Sequence, residues 1–169
     1  MKQADLTPYR RKAMKMGCDG AIVIPASHVV TGAWVRFKCR FGCPGYGWFL
    51  MCPPHSPAPE ETARVLRSYR RAILIHSSDP RRVNKAVVAL ERDLFLDGYY
   101  KASAMGSGPC RLCKICALGE GCRKPYLARP AMEACGVDVF QTARRSGFSI
   151  NVVKKHGDKA DYFGIVLVD

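Results

Sequence analysis

The sequence holds few acids, no long apolar run and no glycine signature of a nucleotide site. Each shortage removes a class of function. The apolar stretches stop within five residues, and within four at 73–75 and 165–168, where a membrane-crossing helix needs ~20. No membrane partner is therefore expected. Residues 1–16 are basic but carry neither an apolar stretch nor a cleavage site, so no secretory signal is read there and the expected location is cytoplasmic. Neither Gly-x-Gly-x-x-Gly nor a Walker motif occurs, which leaves a nucleotide cofactor without support. Gly106-Ser107-Gly108 could form an anion nest, but no helix with a lysine follows it. It reads better as room for the backbone beside a cofactor.

The shortage of acid is large: 14 Asp and Glu against 27 Lys and Arg, a formal charge of +13. Such a surplus points to an acidic partner, either a protein or nucleic acid. Arg64, Arg67 and Arg71 share a face at helical spacing, with Arg81 and Arg82 soon after. Tyr69 alone is interleaved, not the run of aromatics that stacks bases, so the stretch reads as a solvated helix face. Nucleic acid is weakly supported on this ground, and an acidic redox protein is the expected partner.

What is present in quantity is cysteine, nine in 169 residues. An odd number in a reducing compartment is poorly explained by disulfides. Buried free thiols explain one or two, but not clustering. Four fall between Cys110 and Cys122, and three between Cys39 and Cys52.

Apolar residues at 48% and charged ones at 24% describe a globular chain of one domain, residues 1–169, with no repeat and no linker. Strands are expected at 21–24, 33–38, 72–76, 99–105, 148–153 and 162–168. The stretch 39–59, dense in Pro, Gly and Cys, reads as a loop. Pro59, Glu60 and Glu61 open a helix to about residue 69. Asp79-Pro80 caps another, in which Val83, Val87, Leu90 and Leu94 form one apolar face until Gly98 ends it. Two short helices follow, one ending at Gly136 and one running from an Asp138 cap to Gly147. The expected fold class is α/β: a single small domain, a central sheet with flanking helices, and cysteine-rich metal loops at one end.

The stronger motif is Cys110-x2-Cys113-x2-Cys116-x5-Cys122. Three cysteines at successive three-residue steps make a tight loop whose thiolates converge on a cuboidal cluster, and a fourth closes the site. Structural zinc sites usually use two separated Cys-x2-Cys knuckles instead. The spacing departs from that of bacterial ferredoxins. The reading is iron–sulfur, of the 4Fe–4S type, with zinc or unligated thiols as alternatives. The second group is Cys39-x3-Cys43-Pro44 with Cys52-Pro53-Pro54. Prolines after cysteines turn the chain away, and Gly45 and Gly47 let amides approach sulfur while Tyr46 and Trp48 can exclude water. One or two clusters are thus expected.

The segments 38–47 (KCRFGCPGYG), 52–57 (CPPHSP), 108–113 (GPCRLC) and 129–140 (RPAMEACGVDVF) together resemble a known family. It is that of the small, cysteine-rich bacterial and archaeal predicted metal-binding proteins. The likeness covers nearly the whole chain. It implies a metal, iron–sulfur by expectation, held by cysteines at the matching positions, and no particular reaction.

Cys39, Cys43 and Cys52 supply three thiolates to a four-iron cluster, so a fourth ligand is needed. Cys135 is the first candidate, ending a short helix before Gly136; Cys18, His55 or an open iron are the others. His28, His76 and His156 read as structural. Three functions fit: an electron carrier or redox module for a partner enzyme, an enzyme binding substrate at an open iron, or a basic zinc protein on nucleic acid.

Overall fold

A computed structural model describes residues 5–169; residues 1–4, the start of the stretch read for a secretory signal, lie outside the described residues. Its centre is two strands with almost no surface, β2 (Arg71–Ser77) and β4 (Tyr162–Leu167). They are flanked by β1 (Gly20–Pro25) and the three-residue β3 (Ser103–Met105), in the order β1-β2-β4-β3. All three pairings are antiparallel, with Leu74 opposite both Ile22 and Ile165. Because side chains alternate along a strand, β2 serves two cores at once. Ile73 and Ile75 face one layer, Ala72 and Leu74 the other.

The first layer is α1 (Thr7–Lys15) and α4 (Pro80–Leu96). Asp79 caps α4 by accepting from the Arg81 amide at 2.9 Å, with Pro80 in the first turn. Val83, Val87, Leu90 and Leu94, the apolar face of the motif, are all buried against β2 and β4. The helix lies close to the sheet because β4 carries Gly164. A Cβ there would stand 2.9 Å from the Val87 side chain.

The second layer is irregular. It holds Leu66 of α3 (Pro59–Leu66), the short 3-10 turn Glu133–Cys135, and α5 (Val139–Arg145) capped by Asp138. The helix α2 (Ala33–Gly42) packs on that turn. Its entry is pinned there: the Gly32 amide donates to Gly136 at 2.9 Å and the Asp138 amide to Val30 at 2.7 Å. Gly136 has φ +77°, and a Cβ on it would come within 2.9 Å of the Pro59 backbone. Only glycine fits between the turn and α3.

The structure departs from the expected elements in four places. Residues 33–38 form α2 rather than a strand, and Cys39 lies in its last turn rather than in a loop. The alternation of Val35 and Phe37 with Arg36 and Lys38 suggests a strand, yet only Val35 is buried and Phe37 faces solvent. Residues 148–153 pair with no strand. Phe148 packs instead on His76 and Phe163, and Val152 and Val153 are exposed. The strand expected over 99–105 begins only at Ser103, after a turn closed by the Ala102 amide on Tyr99. Lastly, α1 was not expected. Arg64 and Arg67 are exposed as read, whereas Arg71 sits in β2 and pairs with Asp169.

Candidate metal centre

Cys39 and Cys43 are one helical turn apart, the first in the last turn of α2 and the second at its C-cap. That spacing puts both thiols on the same side of the helix. Pro44 then prevents the helix from continuing, and the Gly45 amide turns back to within 3.4 Å of the Cys43 sulfur. The Gly47 amide donates to Pro53 at 2.8 Å, folding the loop over so that Cys52 returns toward Cys39 and Cys43. Cys52 is buried, and its carbonyl accepts from the His55 and Ser56 amides at 3.0 and 3.2 Å. Burial pushes its thiol up to about 11, and the neighbouring Cys43, Cys39 and Cys110 push the same way. Burial also raises Cys39, with Cys43 adding and Arg36 opposing. Thiols this crowded cannot all ionise unless a cation joins them.

The second group lies on the long excursion between β3 and β4. Cys110, Cys113, Cys116 and Cys122 all line one cavity, and residues 49–51 of the first loop form another of its walls. Two polar side chains of α4 hold the excursion at its ends. Asn84 exchanges a pair of hydrogen bonds with the Ser107 backbone, at 2.8 and 3.0 Å. Glu91 accepts from Arg129 Nε at 2.6 Å and from the Ala104 amide at 2.8 Å. Arg129 in turn donates to the Pro125 and Ala128 carbonyls. Gly106-Ser107-Gly108 is thereby a clamped turn leading into the cysteines. Burial raises the Cys110 thiol, its own group adds to that, and the Leu112 amide opposes it.

The two groups abut. The Leu50 amide donates to the Cys116 sulfur at 3.4 Å, and the Cys110 amide hydrogen-bonds the Cys52 sulfur. All nine cysteines are free thiols. Among the described residues, no three His, Cys, Asp or Glu side chains stand ready-made around one metal ion. The shielding expected of Trp48 is absent, since its ring is 69% exposed; Phe49, Leu50 and Met51 line the cavity instead.

Cys135 is buried in the second core with Met132 and Val137, and its charged neighbours are Arg36, Glu133 and Glu61. Cys18 belongs to the opposite core, under α1 and α4. His55 is exposed, and His76 bonds Asp161 at 2.8 Å between the rings of Phe148 and Phe163. One residue stands out to which the sequence assigns no role. Glu133 has its Oε2 enclosed with no hydrogen-bond partner, and burial raises its carboxyl. Its signal in the sequence is slight: an acid between alanine and methionine in an otherwise apolar turn.

Fold and thiols together define a small cysteine-rich α/β protein with two adjoining sets of potential ligands. The family model described as "Predicted metal-binding protein (DUF2284)" matches residues 22–168, and the chain belongs to that family. No curated protein matches it, and no solved structure does. Among the described residues no helix is long and apolar enough to cross a membrane.

Proposed function

We propose that the metal is iron–sulfur, of the 4Fe–4S type, and that the protein passes electrons to an acidic partner in the cytoplasm. Cys110, Cys113, Cys116 and Cys122 hold one cluster; Cys39, Cys43 and Cys52 hold a second. The observation that carries this reading is the shared cavity of the first four thiols, with a backbone amide from the neighbouring loop on Cys116. The residues fit such a group in a further respect: the Cys43, Cys52 and Cys110 sulfurs also receive amide hydrogen bonds. Amides aimed at sulfur stabilise the thiolate form and set the electronics of a bound cluster. A cluster bound there supplies one-electron transfer at a potential set by burial, hydrogen bonding and net charge.

The chain's own residues supply the docking charge. Lys38 and Arg40 in residues 29–58, which hold no acid, and Arg111, Lys114, Arg123 and Lys124 in residues 106–132, against Glu120 alone, are exposed, whereas Arg36 and Arg129 are engaged within the fold. A positive rim around the ligands steers an acidic protein toward them, and salt weakens that steering. An enzymatic reading rests on a different observation: the first loop offers three thiols, which leaves a fourth position to another donor or to substrate.

Purification without oxygen tests the proposal. Brown protein with iron and acid-labile sulfide is the expected result. Stoichiometric zinc without sulfide overturns the cluster and moves the basic zinc protein to the front.

A further inference from the structure

We propose that the Glu133 carboxylate is the fourth, non-cysteine ligand of the metal centre at Cys39, Cys43 and Cys52. The inference rests on the metal-binding reading of that group and names what completes it.

A buried carboxylate oxygen without a partner is costly, and folded chains rarely leave one so. Glu133 Oε2 is enclosed and makes no hydrogen bond, and the one donor to this carboxyl is its own backbone amide. The Arg36 guanidinium, a basic group of the same layer, is already committed to the Ser56 and Pro57 carbonyls. Of the buried polar groups of this layer, the Ser56 hydroxyl is taken by the Ala134 carbonyl and Asp138 caps α5, while the Thr62 hydroxyl, like Oε2, is without a partner. Oε2 thus lacks the cation or donor that would offset its burial.

The thiols of the first group lie beside this turn. The Cys39 sulfur is 4.0 Å from the Glu133 carbonyl, and Glu133 is among the charges felt by the Cys39 thiol. Cys39 in turn neighbours Cys43 and Cys52. The turn cannot drift from α2, because the Gly32 to Gly136 hydrogen bond and the Ser56 hydroxyl on Ala134, at 2.6 Å, fasten it from two directions. Cys135, two residues on, belongs to the apolar core and has no other thiol among its charged neighbours. A carboxylate ligand makes the iron it holds unlike the three held by sulfur. A small anion or thiol can displace an oxygen donor there more readily than a thiolate.

The test compares Glu133→Gln, which keeps the shape and removes the charge, with Cys135→Ala, both loaded with iron and sulfide without oxygen. Expected for Glu133→Gln is an affinity at the Cys39 group lower by about tenfold or more. Its reduced paramagnetic resonance changes, while the iron at Cys110, Cys113, Cys116 and Cys122 stays. Cys135→Ala keeps both. Unchanged iron and resonance in Glu133→Gln overturn the inference, as does loss of the Cys39-group iron in Cys135→Ala alone. A measurement on the wild type decides independently of how the variants fold. In protein containing glutamate isotope-labelled at its side-chain carboxyl carbon, one cluster shows a hyperfine coupling to that carbon, and absence of the coupling overturns the assignment. Wild-type protein that carries zinc and no sulfide defeats the cluster reading but not this one. Zinc bound per chain by Glu133→Gln against wild type then settles the ligand, a loss supporting it and equality overturning it.

Discussion

The Leu50 amide points at the Cys116 sulfur from 3.4 Å, across 66 residues of sequence. One cysteine loop thus helps to solvate a thiol of the other, and the two sets of ligands share a wall rather than merely a neighbourhood. Proline at this position removes the donor and keeps an apolar side chain. We expect Leu50→Pro to reduce metal retention at the Cys110 group by about tenfold, and to shift the potential of that site downward, since an amide on sulfur favours the more negative reduced state. Chelator competition and redox titration check both.

Cys113→Ser and Cys43→Ser distinguish two sites from one. Each is expected to lose the iron of its own group and keep that of the other, as read from iron per chain and from resonance. Loss of all iron in either variant, with the circular dichroism of a folded chain, would argue for a single shared centre.

Glu91 holds the second cysteine loop from a distance. Removing it in Glu91→Ala leaves the Arg129 guanidinium and the Ala104 amide without their acceptor. A loss of about 3 kcal/mol in unfolding free energy is expected for breaking a largely buried pair. Metal affinity should fall at the Cys110 group and hold at the Cys39 group, which Glu91 does not touch. Denaturation of the metal-free protein and iron titration of each site measure the two effects.

The metal-free protein should lose stability in alkali. Burial pushes the Cys135 thiol up to about 12, with Arg36 opposing. An unfolded cysteine ionises near 8.5. Between those values the unfolded chain has released a proton that the folded chain still holds, so folding is disfavoured as pH rises. The contribution is complete below about pH 8.5 and gone near pH 12. From about pH 8 to about pH 10.5, wild type should lose on the order of 2–3 kcal/mol more than Cys135→Ala. Urea unfolding of both proteins at the two pH values gives the difference directly.

Legibility in the sequence followed the kind of force at work. The helix α4 is plain from Asp79-Pro80 and the spacing of Val83, Val87, Leu90 and Leu94, because local capping and apolar period agree. The strands β2 and β4 are plain for a similar reason: both faces are buried, so the runs are continuously apolar. Helix α2 defeats the same reasoning. Trp34, Phe37 and Phe41 are exposed on it, so its apolar residues do not report its buried side. The cysteine sets were visible as spacings, yet their contact through Leu50 and Cys110 is a tertiary fact with no local trace. Glu133 was hidden for the opposite reason. An acid in sequence is ordinary, and only enclosure without a partner makes it informative.

The strand order has a consequence for synthesis on the ribosome. Of the four strands β4 is made last, yet it lies between β2 and β3, so the sheet stays split until it emerges. Both cysteine groups precede β4 and have left the exit tunnel before it, unfastened from the scaffold that later orients them. The folded arrangement of the thiols is complete only once the last strand has slotted home.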